Sequence, residues 1–170
     1  MNNEILNTAQ KVVTLLKEKG LKIATAESCT GGMVSAYLTA VSGASQVFEL
    51  GVTSYSNDIK NRILNVDSQT LEDFGAVSEN TAKQMAQNVR KIANSDIGVS
   101  VTGVAGPTSQ EGHPVGTVFI GISDKYTTKT KKLEIPPLDR NIVREQAVSH
   151  LLTAVINHLN ETSLKEKQNV

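Results

Sequence analysis

The sequence has a single cysteine, no tryptophan and no excess of charge of either sign. One cysteine cannot form an internal disulfide, so we expect a reducing, cytoplasmic location. Seventeen Lys and Arg residues balance seventeen Asp and Glu residues. This balance argues against nucleic acid as a partner, because nucleic-acid-binding proteins usually carry a basic face. No apolar run approaches the ~20 residues that span a bilayer, and no signal peptide is evident, so we expect no membrane partner.

The common motifs of nucleotide, metal and hydrolase sites are also missing. The sequence contains no GxxxxGKS/T, GxGxxG, GxSxG, HExxH or CxxC. Its three histidines are widely spaced, so we expect no metal and no cofactor, and His158 is expected to be exposed on the last helix. A Ser-His-Asp triad has no histidine candidate except His113, which lies in a polar loop.

The sequence does contain alternating helix and strand patterns over one domain, residues 1–160, with an ordinary apolar share of 39%. Apolar spacing predicts long helices within 5–16, 30–41, 82–93 and 142–159. Shorter helices are predicted after Ser56 and Asp67, and capping residues are predicted at Ser56, Asp67, Ser78 and Asp139. Strands are predicted at 21–26, 48–55, 97–101, 115–122 and 127–135. This order predicts a three-layer α/β/α sandwich with a mixed β-sheet, and the polar tail 161–170 is expected to be frayed.

Three turns rich in glycine or hydroxyl residues follow predicted strands or helices, at 28–32, 42–45 and 102–107. In an α/β sheet such turns line the ligand crevice, and glycine lets backbone N–H groups approach a ligand closely. Any one of them alone could be a tight turn that needs a positive φ. Together they favour a site for an anionic or hydroxyl-rich ligand.

Ser28 is the candidate nucleophile in the first turn, and a lysine is the candidate base. Burial can bring a lysine pKa from ~10.4 toward 7–8, where the neutral amine can accept the serine proton. Lys60 is the best placed, one turn into a short helix, and Tyr55 could relay a proton or orient it. The simpler interpretations are a solvent-facing lysine and a half-buried aromatic residue at a sheet edge.

Cys29 is a rival nucleophile in the same turn. Adjacent residues of an extended segment point to opposite sides, so Ser28 and Cys29 cannot both face the crevice. The pattern alone does not choose between them, but a small buried hydrophobe is the better interpretation of Cys29.

Arg140 and Arg144 are predicted to share one face at the start of the last helix. Cations there oppose the helix dipole, and a bound phosphate or carboxylate would relieve that conflict. Arg140 is the stronger candidate, because Arg144 is equally well explained by pairing with Glu145 or Asp139.

Five segments resemble one known family, in order and at matching spacing. They are 25–32, 53–57 together with Lys60, 75–78, 102–107 and 114–118. Over roughly residues 5–160 the chain resembles the C-terminal domain family of the competence/damage-inducible protein CinA. The resemblance implies a three-layer α/β/α fold and a serine amidase that needs no metal. It further implies hydrolysis of nicotinamide mononucleotide to nicotinic acid mononucleotide and ammonia, here by a stand-alone homo-oligomeric enzyme.

Carried over by position, the resemblance makes Ser28 the nucleophile, Lys60 the base and Tyr55 their hydroxyl partner. Arg140 matches an arginine near the substrate phosphate or ring carbonyl. The expected contacts to the small-molecule nucleotide are Thr30, Gly31, Gly32, Gly43, Ser45, Thr102, Gly103, Ala105 and Gly106.

Two departures from the family pattern affect the rim of the expected site. Leu138 stands where the family usually has a glycine, and His113 stands where a lysine is common. The substrate preference therefore stays open at this point. The alternatives are a nucleotide-binding module without turnover, or an amidase of the same chemistry with another substrate.

Overall fold

The computed structural model describes the backbone of residues 1–168 and the side chains of residues 1–161. The helices are α1 (Asn3–Lys19), α2 (Met33–Thr39), α3 (Asn57–Arg62), α4 (Ser68–Phe74), α5 (Glu79–Ala93) and α6 (Arg140–Gln168), with a short 3₁₀ turn at Ala44–Gln46. The strands are β1 (Ile23–Glu27), β2 (Phe48–Thr53), β3 (Ile97–Gly103), β4 (Thr117–Ser123) and β5 (Thr128–Glu134). Among the described residues, no helix has the length and apolar character needed to cross a membrane.

The five strands form one mixed sheet in the order β2-β1-β3-β4-β5. β1 pairs in parallel with β2 and with β3, while β4 and β5 add antiparallel pairs beyond β3. Parallel pairing requires the chain to cross back over the sheet, and α2 and then α3 to α5 make those crossings. The predicted mixed sheet is confirmed, and the ends of β1, β2 and β3 lie together at its carboxyl edge.

Helices cover both faces of this sheet and make the predicted three layers. α1, α2 and α6 pack on one face around buried residues such as Leu16, Leu38 and Leu151. On the other face, Met85 and Val89 of α5 pack against β1. Each fully buried side chain of this size stabilises the fold by about 1.5–3 kcal/mol, so the two faces together hold the sheet in place.

The predicted helix starts are confirmed by their capping bonds. The side chains of Ser56, Asp67 and Ser78 accept backbone N–H groups at the starts of α3, α4 and α5. At the start of α6, Asp139 accepts the N–H of Asn141 at 2.8 Å. Such caps satisfy N–H groups that the helix leaves unpaired, and each typically contributes about 1 kcal/mol. The cap at Ser56 begins the short helix that carries Lys60.

Two expectations concern the last helix: the exposure of His158, which is wrong, and the fraying of the polar tail, which stays a prediction. His158 was expected to be exposed, but it is 5% exposed, and its Nε2 lies 2.9 Å from Asp124 Oδ2. It follows Leu151 by seven residues and Val155 by three, so it shares their buried face. The backbone of α6 also continues through the predicted polar tail to Gln168. Because the side chains beyond Glu161 lie outside the described part, fraying of this tail stays a prediction.

Candidate active site

Strand periodicity places Ser28 and its neighbour Glu27 on opposite faces of the sheet. Along β1, Ala24 and Ala26 belong to the core under α5, whereas the Thr25 hydroxyl lies 2.8 Å from that of Ser35 in α2. Ser28 continues the alternation onto the α5 side. Its N–H donates to the carbonyl of Val101 at 2.9 Å, which fixes the residue at the carboxyl edge of the sheet.

Lys60 reaches Ser28 from α3. Its Nζ lies 3.0 Å from Ser28 Oγ and donates to the carbonyl oxygen of Ser54 at 2.8 Å. Lys60 is 1% exposed and Ser28 is 9% exposed. The structure therefore brings together the serine and lysine predicted from the sequence, within hydrogen-bonding distance and away from bulk water.

Burial is the main influence on the protonation of Lys60. It lowers the pKa of the Lys60 amine from 10.5 to about 8, while the negative charge of Glu111 acts in the opposite direction. Desolvation disfavours the ammonium form because a buried charge loses its hydration. Roughly one tenth of Lys60 is therefore neutral at pH 7, and the neutral amine is the form that can accept a proton from a serine hydroxyl.

Ser28 and Lys60 lie in a cleft of about 290 Å³ at the carboxyl edge. The cleft brings together most of the predicted site, and its walls include Ser28, Tyr55, Lys60, Thr102, Gly103, Ala105, Gly106 and Arg140. Sequence reasoning did not single out Asn57, Thr108, Ser109 and Gln110, which also line it. The last three belong to the polar loop after β3, and their position against the cleft depends on how that loop folds back.

Tyr55 has a different partner from the one expected. Its hydroxyl accepts a hydrogen bond from Arg140 at 2.8 Å, and no hydrogen bond joins it to Ser28 or Lys60 among the described residues. Arg140 also donates to the carbonyl of Gly106. Because β2 ends at Thr53, the Tyr55 side chain projects at the rim, where it is 64% exposed. The role of Tyr55 as hydroxyl partner of the Ser–Lys pair is thus not supported by this geometry.

The segment Thr30–Gly32 does not face the cleft. The Thr30 hydroxyl and the Gly32 N–H donate to the Glu27 carboxylate at 2.7 and 3.1 Å. The Thr30 carbonyl accepts from Arg144 at 2.7 Å, and Gly31 lies beside that guanidinium. The turn thus makes contacts within the protein, and its expected ligand contacts stay a prediction. In the described part of the chain, Arg144 pairs with neither Glu145 nor Asp139 and instead donates to Asn141 and Thr30.

The loop that carries Gly43 and Ser45 lies at the opposite edge of the sheet. It connects α2 to β2. A loop that leads from a helix into a strand of a parallel sheet lies at the edge where the strands begin. Ile23, the first residue of β1, donates its N–H to Val47 just after this loop, and Gly43 lies beside Lys17 at the end of α1. Gly43 and Ser45 therefore do not line the cleft that holds Ser28 and Lys60, and their contacts to a nucleotide stay a prediction.

Cys29 is a buried core residue, but it also contributes to the wall of the cleft beside Ser28, so the expectation that only one of the two borders the crevice is wrong. It is 7% exposed and belongs to the apolar cluster that includes residues of α1, α2 and α6. Burial raises the pKa of its thiol to about 12, so the reactive thiolate is scarce at neutral pH. The structure supports the interpretation of Cys29 as a small buried hydrophobe rather than as the nucleophile.

Leu138 and His113, the two positions that depart from the family pattern, are not members of the Ser–Lys pair. Leu138 is 47% exposed between Pro137 and the start of α6, and His113 packs edge-on against Phe119 with ring centroids 6.2 Å apart. Among the described residues, no group of three or more His, Cys, Asp or Glu side chains is placed to hold a metal ion.

Fold and site together define a three-layer α/β/α domain with a buried Ser–Lys pair at the carboxyl edge of a mixed sheet. The chain belongs to the CinA C-terminal domain family, whose model matches residues 6–159. It is 50% identical over 149 residues to a putative competence-damage inducible protein of a Thermoanaerobacter strain, covering 87% of this chain and 36% of that relative. The chain thus spans about a third of the length of the curated relatives it matches.

Solved structures of similar proteins share the whole fold. The competence/damage inducible protein CihA from Agrobacterium tumefaciens superposes with a TM-score of 0.88 at 35% identity, covering 92% of this chain and 95% of that one. A CinA-superfamily protein from Klebsiella pneumoniae superposes with a TM-score of 0.90 at 30% identity, covering 95% and 99%. The predicted fold class is confirmed by these matches.

Proposed function

We propose that this chain is a nicotinamide-nucleotide amidohydrolase. In this proposal it converts nicotinamide mononucleotide and water to nicotinic acid mononucleotide and ammonia. The observation that carries the proposal is the 3.0 Å contact between Lys60 Nζ and Ser28 Oγ inside a cleft, with the lysine almost fully buried. The identity of the substrate rests on the resemblance to the family, and the chemistry rests on the Ser–Lys geometry.

The first half-reaction transfers the acyl group to Ser28. Neutral Lys60 accepts the Ser28 proton as Oγ attacks the carboxamide carbon, which gives a tetrahedral intermediate. The Ser54 carbonyl accepts one N–H of Lys60, so the lysine lone pair is free to point at the serine. Lys60 then returns the proton to the amide nitrogen, the C–N bond breaks and ammonia leaves.

The second half-reaction releases the product. Water, deprotonated by Lys60, attacks the Ser28 ester; as the second intermediate collapses, Lys60 returns that proton to the departing Ser28 Oγ, and the acid product ionises to the carboxylate. Both intermediates carry an oxyanion. The N–H group of Cys29 follows the nucleophile, Cys29 lies among the residues that line the cleft, and this N–H donates to no backbone carbonyl in the described structure. It is our proposed oxyanion donor, and such a donor typically contributes about 3 kcal/mol.

The rest of the cleft supports a nucleotide in this orientation. Arg140 has donors beyond the two used for Tyr55 and Gly106, so we place the substrate phosphate or ring carbonyl against it. The loop Thr102–Gly106 would line the other side. Tyr55 is assigned here as the partner that orients Arg140. We also propose that the protein is cytoplasmic and forms a homo-oligomer.

An ammonia-release assay tests the proposal. Purified protein is incubated with nicotinamide mononucleotide, nicotinamide riboside or NAD, and ammonia is measured enzymatically. Release from the mononucleotide above the other two supports the proposal. Tight binding of the mononucleotide, measured by calorimetry, without any ammonia would instead indicate a binding module. Release only from another amide would keep the chemistry and replace the substrate.

A further inference from the structure

A buried carboxylate adjoins the proposed nucleophile and takes no part in the chemistry above. Glu27 is the last residue of β1 and is 1% exposed. Its side chain accepts five hydrogen bonds, three at Oε2 and two at Oε1. The donors are the Thr30 hydroxyl (2.7 Å), the Gly32 N–H (3.1 Å), the Val34 N–H (3.0 Å), the Ser35 N–H (2.8 Å) and the Ser35 hydroxyl (2.7 Å).

These bonds determine the path of the turn that carries Ser28. The turn leaves β1 at Glu27 and enters α2 at Met33, and Glu27 bonds to residues near its far end. Gly31 and Gly32 have φ values of +59° and +93°, which glycine adopts without strain. With its side-chain bonds, Glu27 holds both ends of the turn together, so Ser28 has little freedom to move relative to β1.

A second contact holds the same turn from the opposite side. Arg144 of α6 donates to the carbonyl of Thr30 at 2.7 Å. Glu27 therefore satisfies the donors of the turn, and Arg144 satisfies one of its acceptors. A charged group buried this completely is costly unless hydrogen bonds compensate it, and here all of those bonds go to the segment that follows the nucleophile.

The backbone of Glu27 also connects to Lys60. Its carbonyl accepts the N–H of Ser54 at 2.8 Å, and the carbonyl of Ser54 accepts Lys60 Nζ at 2.8 Å. One residue is thus linked through its side chain to the turn of Ser28 and through its backbone to the residue that orients Lys60. The separation of Ser28 Oγ and Lys60 Nζ depends on both links.

We propose that Glu27 is a positioning residue of the Ser–Lys site, whose carboxylate fixes the turn and thereby the contact between Ser28 and Lys60. This inference rests on the proposed function for the reaction it serves. A cap of α2 with no further role would stabilise the protein but would leave turnover by the folded protein unchanged. The two roles therefore differ in kcat measured on folded protein.

Glu27→Gln is the direct test. The glutamine amide nitrogen donates hydrogen bonds and cannot accept them, so the bonds at one of the two oxygens are lost while the shape is kept. We expect kcat with nicotinamide mononucleotide to fall ~10²-fold with KM changed less than about threefold, because a displacement of about 1 Å has that effect on a reacting pair. The rate at which diisopropyl fluorophosphate labels Ser28 should fall in parallel.

Asp67→Asn is the matched control. Asp67 also places a carboxylate at the start of a helix, α4, where it accepts the N–H of Gln69, and it is not among the residues of the cleft. Its replacement should leave kcat unchanged and the free energy of unfolding nearly unchanged, because asparagine caps a helix about as well as aspartate. Equal kcat values for wild type and folded Glu27→Gln would overturn the positioning role.

A milder variant covers the case in which Glu27→Gln does not fold. Ser35→Ala removes one of the donors to Oε1 and keeps the carboxylate; a fall of about 3–10-fold in kcat and in labelling supports the proposal, and no change in either overturns it. Failure of the wild type to release ammonia from the mononucleotide would overturn the proposed substrate, and the positioning role would then be decided by the labelling rates. Failure of Ser28 to react at all would overturn both.

Discussion

The pH dependence of turnover follows from the burial of Lys60. Burial lowers the pKa of this lysine from 10.5 to about 8, and only its neutral form can accept the Ser28 proton. In the free enzyme, kcat/KM should therefore follow the neutral fraction of Lys60 on the acidic side of the profile. Because deprotonation activates the base, the rate rises with pH and does not fall.

The size of the effect follows from that pKa. With a value of about 8, roughly one tenth of Lys60 is neutral at pH 7, roughly half at pH 8 and roughly nine tenths at pH 9. We therefore expect kcat/KM to rise about tenfold from pH 7 to pH 9 and to level off above that. A histidine base would give a midpoint near 6.5 instead.

The assay is ammonia release from nicotinamide mononucleotide between pH 6.5 and pH 10, with circular dichroism to confirm that the protein stays folded. A flat profile between pH 7 and pH 9, or a midpoint below pH 7, would refute the assignment of Lys60 as the base. The carboxylate of Glu111 is one of the charges that raise the Lys60 pKa, so Glu111→Gln should shift the midpoint to lower pH. Glu49→Gln, at the opposite edge beside Lys22, should not shift it.

Three substitutions test individual residues of the site. Lys60→Met should lower kcat by ~10²–10⁴-fold and should stabilise the protein. The pKa difference between 10.5 and about 8 means that the buried ammonium lowers the free energy of unfolding by roughly 3 kcal/mol. The variant should regain this amount, less the contribution of the hydrogen bonds that Lys60 makes. Unfolding experiments should show this gain in full below pH 8 and its disappearance by about pH 10.5, since the unfolded lysine then also loses its proton; an unstable variant would contradict the burial argument. Tyr55→Phe removes the acceptor for Arg140 and should raise KM about fivefold at nearly constant kcat in steady-state kinetics, whereas a collapse of kcat would place Tyr55 in the proton transfer. Cys29→Ala should retain kcat within about threefold, and iodoacetamide should label Cys29 slowly at pH 7; loss of turnover in this variant would make the thiol the nucleophile.

Local pattern was sufficient to predict most of the fold. Apolar spacing predicted the helices and strands, and capping residues such as Ser78 and Asp139 predicted helix starts, because both depend on neighbours within a few residues. The Ser28–Lys60 pair was predictable because each residue follows the end of a strand at the same edge of a parallel sheet. The strand-to-helix turn at Ser28 could be predicted from its own residues, without knowledge of distant contacts.

The errors concern contacts between segments distant in sequence. Tyr55 binds Arg140 across 85 positions, and no spacing rule relates those two residues. Gly43 and Ser45 have the composition of a ligand loop, but the topology places them at the amino edge of the strands. The location of this loop was predictable from the topology, since a loop that leads from a helix into a parallel strand lies at that edge.

Glu27 was overlooked although the sequence contains a signal for it. An acidic residue ends an otherwise uncharged strand, Ile23–Ala26, next to the candidate nucleophile. A charged residue in a fully buried strand needs dedicated partners, and here the following turn supplies them. His158 shows the same difficulty on a helix, where its partner Asp124 lies in a different part of the chain.

The most direct test of the central claim compares ammonia release by wild type and Ser28→Ala with nicotinamide mononucleotide as substrate. Ser28 contributes one hydroxyl at the edge of the cleft, so the variant should fold with an unchanged circular dichroism spectrum. We predict measurable ammonia release by the wild type and its loss in the variant, by at least ~10³-fold. Full activity of Ser28→Ala would contradict the account, because no other hydroxyl in the described structure lies against Lys60 Nζ.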